Sequence, residues 1–383
     1  MWSDSPHSQL QNGLAISRRA NLIQFLDPQE IAVPVLTESV LFEFGKALLA
    51  GGGATQEEAT IVGRSLVDAN LRGHDSHGVM RIPFYVKQVQ EGRLTAGSNL
   101  TVEHETPATI VGDGHWGFGQ VLSAQLMGKL MDKAAQVGIA SGTLRRSAHI
   151  GRLGEYAEMA TARGMAAIIC ANTHGAAQRV APVGGKRPRL GTNPLCMGMP
   201  GGKDGPFVLD FGTSATAEGK VRVKKIAGQQ VPLGWILDPE GKPTTDPNQL
   251  YGDPPGTILP MGGDQAYKGF GLAFMIEMLC GALSGGQCSY PNPPPPIGNC
   301  AFFIVIDPQQ YAGYEHLRQE ITQLEDYTRS VPLIDGASEV TLPGDPERRT
   351  LAKRRVDGIP IDDGNWKALL ALANELKITA PQV

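Results

Sequence analysis

Cysteine is thin in this sequence: five residues in 383, with no two spaced as CxxC. The odd count and that spacing argue against a disulfide framework or a zinc ribbon and fit a reducing compartment. An excess of one charge is also missing, because 34 basic and 38 acidic residues leave a net charge of −4. Without a basic excess or a long basic run, neither nucleic acid nor an anionic membrane has an electrostatic reason to bind. No stretch of eighteen apolar residues occurs, and no basic segment followed by an apolar one opens the chain. Neither a spanning helix nor a signal peptide is indicated, and a cytoplasmic location is expected.

Glycine and proline are plentiful instead, 48 and 28 residues, against 41% apolar and 19% charged. A chain of this length buries a large core, and its many turns are the texture of a loop-rich enzyme. Residues 1–35 mix polar residues with prolines and are expected to be an extension. Thr37 then opens a helix that Gly51-Gly52-Gly53 ends, and Thr55 with Glu58 makes a capping box for a second helix stopped at Gly73.

Just past that stop stands His74-Asp75-Ser76-His77-Gly78-Val79-Met80-Arg81. Two imidazoles, a hydroxyl, a carboxylate and a guanidinium within eight residues suit proton transfer to a carbonyl oxygen beside a carboxylate clamp. A polar turn that merely satisfies nearby backbone groups is the bland alternative. Zinc is disfavoured, since no Cys cluster or HExxH pattern accompanies the histidines, and no metal is expected.

Gly112-Asp113-Gly114-His115-Trp116-Gly117 matches GxGxxG between a strand and a helix. A dinucleotide fingerprint needs a second strand ending in an acid for the ribose, yet Ile139 to His149 offers Arg145 and Arg146 and no acid. The match is therefore read as incidental. The next unit runs from the strand Ile139–Leu144 through His149-Ile150-Gly151-Arg152-Leu153-Gly154 into a helix. Its glycines and helix start suit a phosphate or carboxylate, with an ordinary connection as the alternative. Asp210 is the last polar residue of a strand from Pro206 to Phe211, at the strand end where α/β sites gather polar groups and where turns are also capped. Residues 241–251 read as loop. Lys268 enters a long apolar helix against its dipole, which suits a facing anion or an exposed lysine. A strand over 301–306, a charged helix over 314–329, a helix entered through Asp345 to Arg349, and a closing helix over 364–376 complete the pattern.

In these residues the chain resembles the malate/L-lactate dehydrogenase-like family of nicotinamide-dependent, non-Rossmann reductases, over residues 37–372. The likeness is carried by Gly73 to Gly78 with Pro83 and Tyr85, Gly117-Phe118-Gly119-Gln120, His149-Ile150-Gly151-Arg152, Gly191-Thr192-Asn193-Pro194, Leu209-Asp210 with Thr213 to Ala215, Thr244 to Pro247, Lys268-Gly269 and Leu342-Pro343-Gly344. Ala69-Asn70-Leu71, the HIGR loop and Gly358-Ile359-Pro360 bring it nearest to the hydroxycarboxylate dehydrogenase B type.

The resemblance implies an α/β fold, L-sulfolactate dehydrogenase-like, with a mixed-sheet cofactor domain over 101–265. Residues 36–100 would form a helical lobe, which 266–383 would complete together with the cofactor site. It implies NAD or NADP as cofactor, a 2-oxo or 2-hydroxy acid substrate, and a homodimer with the active site near the subunit interface. Residue by residue, it makes His77 the proton donor, Ser76 its neighbour, His149 a second acid-base histidine, and Arg81 and Thr192 the substrate contacts. Gly151, Arg152, Leu153, Val208, Leu209, Asp210, Phe211, Gly212, Tyr267, Lys268, Asn299, Asp345, Pro346, Glu347 and Arg348 fall at cofactor contacts, with His77. The chain departs from the hydroxycarboxylate type at Arg81 and Tyr267, and has Lys220 where cyclic imino acid reductases carry an acid. Those reductases, the ureidoglycolate and sugar-acid dehydrogenases of the family, a zinc hydrolase and a non-catalytic binding protein are the alternatives.

Overall fold

Two capped helices set the geometry of everything that follows in this computed structural model, which describes residues 33–382. The expected extension over 1–35 lies outside the described residues except for its last three. After β1 (Val35–Leu36), α1 (Glu38–Gly51) starts at Thr37, whose hydroxyl accepts from the Val40 amide. α2 (Gln56–Leu71) begins in the expected capping box: Thr55 Oγ1 accepts from Glu58 N at 3.2 Å, and Glu58 Oε2 accepts from Thr55 N at 2.9 Å. The pair satisfies two amides that a helix start leaves open. Gly73, at φ +83°, turns the chain out of α2. Two 3-10 turns, Asp75–His77 and Val79–Arg81, lead into α3 (Ile82–Gln90).

The middle of the chain supplies β2 (Thr101–Glu105), β3 (Thr109–Asp113), α4 (Gly119–Val137), β4 (Ile139–Ser147), α5 (Leu153–Ala162), β5 (Ala166–Asn172), β6 (Pro194–Met199) and β7 (Phe207–Gly212). An excursion carries α6 (Glu218–Ile226), β8 (Ile236–Leu237), β9 (Pro243–Thr244) and β10 (Thr257–Ile258). Then come α7 (Tyr267–Glu277), a π turn over Met278–Ala282, β11 (Asn299–Ile306), α8 (Tyr314–Arg329), α9 (Asp345–Asp357), β12 (Ile359–Pro360) and α10 (Asp363–Glu375).

Seven strands form one mixed sheet in the order β2-β3-β4-β11-β5-β6-β7. Only β3 and β4 run parallel, joined over α4; every other pairing in it is antiparallel. One face buries Leu122, Leu126, Leu130, Tyr156, Ile169 and Phe303 beneath α4 and α5. The other packs Cys170, Leu195 and Cys300 against Ile276 and Cys280 of α7 and its π turn. A separate apolar cluster, including Leu41, Leu48, Leu66, Ile82, Trp366 and Leu369, joins α1–α3 to α10. Burial of such side chains stabilises each by about 1.5–3 kcal/mol relative to exposure.

The structure differs from expectation in three places. β4 runs on to Ser147, because Arg145 and Arg146 are drawn back to Asp113. Strand β6 and helix α6 were not anticipated: β6 has no β-branched residue and opens on Pro194, while α6 carries Gly219 and two valines. The expected loop over 241–251 contributes β9 to a small sheet of order β10-β8-β9.

Candidate functional site

Asn70, near the end of α2, fixes the turn that carries the two histidines. Its Oδ1 accepts from Val79 N at 2.9 Å, and its Nδ2 donates to Asp75 Oδ1 at 2.6 Å. A Cβ on Gly78 would collide with that amide, so the turn needs glycine there. Asp75 also receives both terminal nitrogens of Arg354 from α9, at 2.7 and 3.0 Å. The carboxylate expected beside His77 is thus turned to α9. His74 likewise faces away, with Nε2 at 3.2 Å from Glu347 Oε1.

Ser76, His77 and Arg81 remain together. Ser76 Oγ lies 3.0 Å from His77 Nδ1, and Arg81 Nε donates to Ser76 O at 2.7 Å. Among the described residues Arg81 has no carboxylate partner. The loop after β4 brings His149 alongside, its ring stacked on His77 with centroids 5.5 Å apart and planes 27° apart. Tyr85 Oη lies 2.7 Å from His149 Nδ1, Gln120 Nε2 donates to Tyr85 Oη at 3.1 Å, and Gly151 N donates to His149 Nδ1 at 3.3 Å.

Burial, then the charges of Arg81, His74 and Arg152, push His77 down to about 3. Burial, with Arg81 and His77, also holds His149 well below the usual imidazole range, and burial raises Tyr85 to about 12. Both imidazoles are therefore neutral at physiological pH. Beside them is a cavity of about 190 Å³, where Arg81, Tyr85, His149 and Asn299 meet the apolar groups Phe84, Leu94, Ala176 and Ile297.

A second cluster lies along β7, one of the two edge strands of the sheet. Asp210 Oδ2 accepts from Gly154 N at 2.7 Å, so the carboxylate at the start of α5 is the protein's own. Gly151 takes φ +74°, and Leu153 is buried in the core. Arg152, buried, spends its guanidinium on Glu158 at 2.7 Å and Asp68 at 3.3 Å. Val208 is buried, Phe211 half-buried, and Leu209 and Gly212 are exposed along the edge. The start of α9 abuts the same strand. Arg348 donates to Pro206 O at 2.6 Å and to Asp345 at 2.6 Å; Asp345 is held further by Arg329; Pro346 is exposed; Glu347 reaches His74.

The remaining candidates are distributed over three places. Asn299 uses its amide to tie Ile150 N and Asn172 O, at 3.1 and 2.7 Å, while lining the cavity. Thr192 O accepts from Thr213 N and Oγ1 at the entrance to β6. Tyr267 and Lys268 are exposed at the start of α7, on the sheet face opposite α4 and α5. The GxGxxG match is structural: Asp113 is buried and accepts from Arg145, Arg146 and His115 N. Among the described residues, no group of three His, Cys, Asp or Glu side chains is placed to hold a metal ion, and no helix is long and apolar enough to cross a membrane. Reading residues by motif missed the Gln120–Tyr85–His149 chain as a unit. Its signal was a glutamine in the first turn of α4, directly ahead of the apolar pair Val121-Leu122.

The mixed sheet and its flanking helical lobe place the chain among the non-Rossmann hydroxy-acid oxidoreductases. The chain belongs to the malate/L-lactate dehydrogenase family, whose model matches residues 36–370. It is 36% identical over 340 residues to hydroxycarboxylate dehydrogenase B of Escherichia coli (strain K12), covering 88% of this chain and 92% of that one. It is 34% identical over 338 residues to L-sulfolactate dehydrogenase of Methanothermobacter thermautotrophicus, covering 87% and 94%. The malate dehydrogenase structure from Pyrococcus horikoshii superposes with a TM-score of 0.82 at 30% identity, covering 91% of this chain and 97% of that one. The protein is an oxidoreductase acting on the CH–OH group of 2-hydroxy acids, in a family dependent on pyridine nucleotides.

Proposed function

We propose that the protein is an NADH-dependent reductase of 2-oxo acids, acting in reverse as a 2-hydroxy acid dehydrogenase. The observation that carries this is the neutral His77–His149 stack beside Arg81, a guanidinium with no carboxylate partner among the described residues. With Nε given to Ser76 O, the two terminal nitrogens of Arg81 are left for a bidentate substrate carboxylate. Thr192 is the second substrate contact. When bound, the pyridine nucleotide supplies hydride to C2. His77 gives a proton to the oxygen of that carbon, and Ser76 holds its Nδ1. A substrate carboxylate on Arg81 offsets one of the charges that keep His77 unprotonated, so binding itself favours loading the acid.

Gly151 to Leu153, Val208 to Gly212 and Asp345 to Arg348 would hold the nucleotide, with Asn299, Tyr267 and Lys268. The donor set fits NADH better than NADPH. Asp210 and Glu347 are acceptors suited to ribose hydroxyls. The arginines that could meet a 2′-phosphate already have carboxylates: Arg145 and Arg146 have Asp113, Arg348 has Asp345, and Arg349 has Glu339. The apolar side of the cavity favours a bulky apolar or aromatic group on C3 of the substrate, since Arg93 at its rim is paired with Glu91 at 3.1 Å. A homodimer is the proposed assembly, supported by exposed apolar side chains on the α7 face of the sheet.

The test is NADH and NADPH oxidation across pyruvate, oxaloacetate, phenylpyruvate and piperideine-2-carboxylate. The expected result is kcat/KM highest for phenylpyruvate and at least about tenfold higher with NADH, one lost charge-assisted contact being worth that much. Turnover of the cyclic imine alone would replace this reading with an imino acid reductase.

A further inference from the structure

We propose that Tyr85 and Gln120 are positioning residues that hold His149 in the tautomer with its proton on Nε2, so that His149 meets the substrate's oxygen as a hydrogen-bond donor. The inference rests on the reductase reading and divides the labour between its two histidines: His77 changes protonation state, and His149 does not.

The direction of each bond follows from one that has no freedom. The Gly151 N–H, fixed by the backbone, points at His149 Nδ1 from 3.3 Å. A donor facing that nitrogen requires a lone pair on it, so Nδ1 carries no proton. Tyr85 Oη stands 2.7 Å from the same lone pair and must donate to it. Its own oxygen is then left to accept, and Gln120 Nε2 donates there at 3.1 Å. Amide, phenol and imidazole thus point one way, and both Tyr85 and Gln120 are buried from solvent that could reorder them. Rotating the Gln120 amide would deprive Tyr85 of its donor and leave Nε2 in the place where Oε1 now has no partner.

The charged and titratable groups facing His149 are Arg81, His77 and Tyr85, and the first two oppose a second proton on the ring. His149 therefore keeps a single proton, on the nitrogen that no described residue engages. A fixed donor aimed at a developing alkoxide stabilises it without rearrangement, the principle of an oxyanion hole.

The test begins with the unaltered protein. Nitrogen-15 NMR of its imidazoles, with His149 assigned through loss of its signals in His149→Asn, should show Nδ1 unprotonated and Nε2 protonated at neutral pH. Gln120→Glu is the active probe. Protonated, the new carboxyl can donate to Tyr85 as the amide does; ionised, it accepts from Tyr85, reverses the phenol and moves the His149 proton to Nδ1. In the oxidation direction its kcat should fall about 100-fold as pH rises through that ionisation, with KM little changed, one preorganised donor having been lost. The NMR signals should exchange over the same pH range. Gln120→Met, which brings no ionisable group and leaves Tyr85 donating to Nδ1, should show neither step.

A protonated Nδ1 in the unaltered protein, or Gln120→Glu without the pH step, overturns the proposal. Absence of turnover on every 2-oxo acid, with Nδ1 unprotonated, upholds the relay and removes only the reductase reading.

Discussion

His77 is held neutral by the surroundings that make it useful. Burial and the nearby Arg81, His74 and Arg152 lower its affinity for a proton to about 3 in the free protein. In the proposed mechanism oxidation uses the neutral ring as acceptor, so kcat/KM in that direction should be independent of His77 from about pH 5 upward. The proposed reduction uses the protonated ring, which grows scarcer as pH rises, so kcat/KM should fall about tenfold per pH unit through neutrality. Steady-state profiles in both directions check this, and parallel profiles would remove His77 from the role. His77→Asn, which keeps a polar atom for Ser76, should lower kcat about 10²- to 10⁴-fold and abolish the reduction slope. Ser76, His77 and Arg81 were legible as a group because they share one short turn. The relay was not, since Gln120 lies 35 positions from Tyr85 and only the packing of α4 against the lobe joins them. Nor does the sequence tell that Asp75 turns away, because its partner Arg354 comes 279 positions later.

That pairing of Asp75 with α9 is also the link between two elements whose ends serve different parts of the site. α2 and its following turn present His77, and the start of α9 presents Asp345 to Arg348 to the edge strand β7. Arg354 spans them, bonding Asn70 O and both oxygens of Asp75. Arg354→Met should cost about 1 kcal/mol by thermal unfolding, modest because Asp75 is half exposed. It should also raise KM for nucleotide while leaving the His77 pH slope in place, since neither Ser76 nor Arg81 depends on it. An unchanged KM would show that the two ends are not coupled. At this scale the sequence was most readable where local chemistry decides: the caps at Thr37 and Thr55 and the apolar run of β11 each announce themselves. It was least readable for β6 and the small sheet of β8–β10. Those short pieces hold their conformation through tertiary neighbours rather than through propensity.

At the scale of the whole molecule, the mixed sheet is covered unequally. α4 and α5 close one face, whereas α7 covers only part of the other and leaves Met197, Met199, Phe274, Met275 and Met278 exposed. Met197 pairs across β6 and β7 with Leu209, itself exposed, so the bare strip is continuous with the edge proposed to receive the nucleotide. These exposed apolar side chains are the surface that the proposed dimer would cover. A twofold arrangement is the simplest one in which the same strip covers itself. It would also seat the start of α7, with Tyr267 and Lys268, against the other copy, which accounts for their distance from any bond to the histidine cluster. Sedimentation equilibrium should therefore report twice the chain mass. The double substitution Met197→Asp with Met275→Asp, four charges placed in a desolvated contact of two copies, should shift the protein to monomer and lower kcat, while far-UV circular dichroism stays unchanged. A native protein that sediments as a monomer at micromolar concentration would remove both the dimer and the explanation it gives for Lys268.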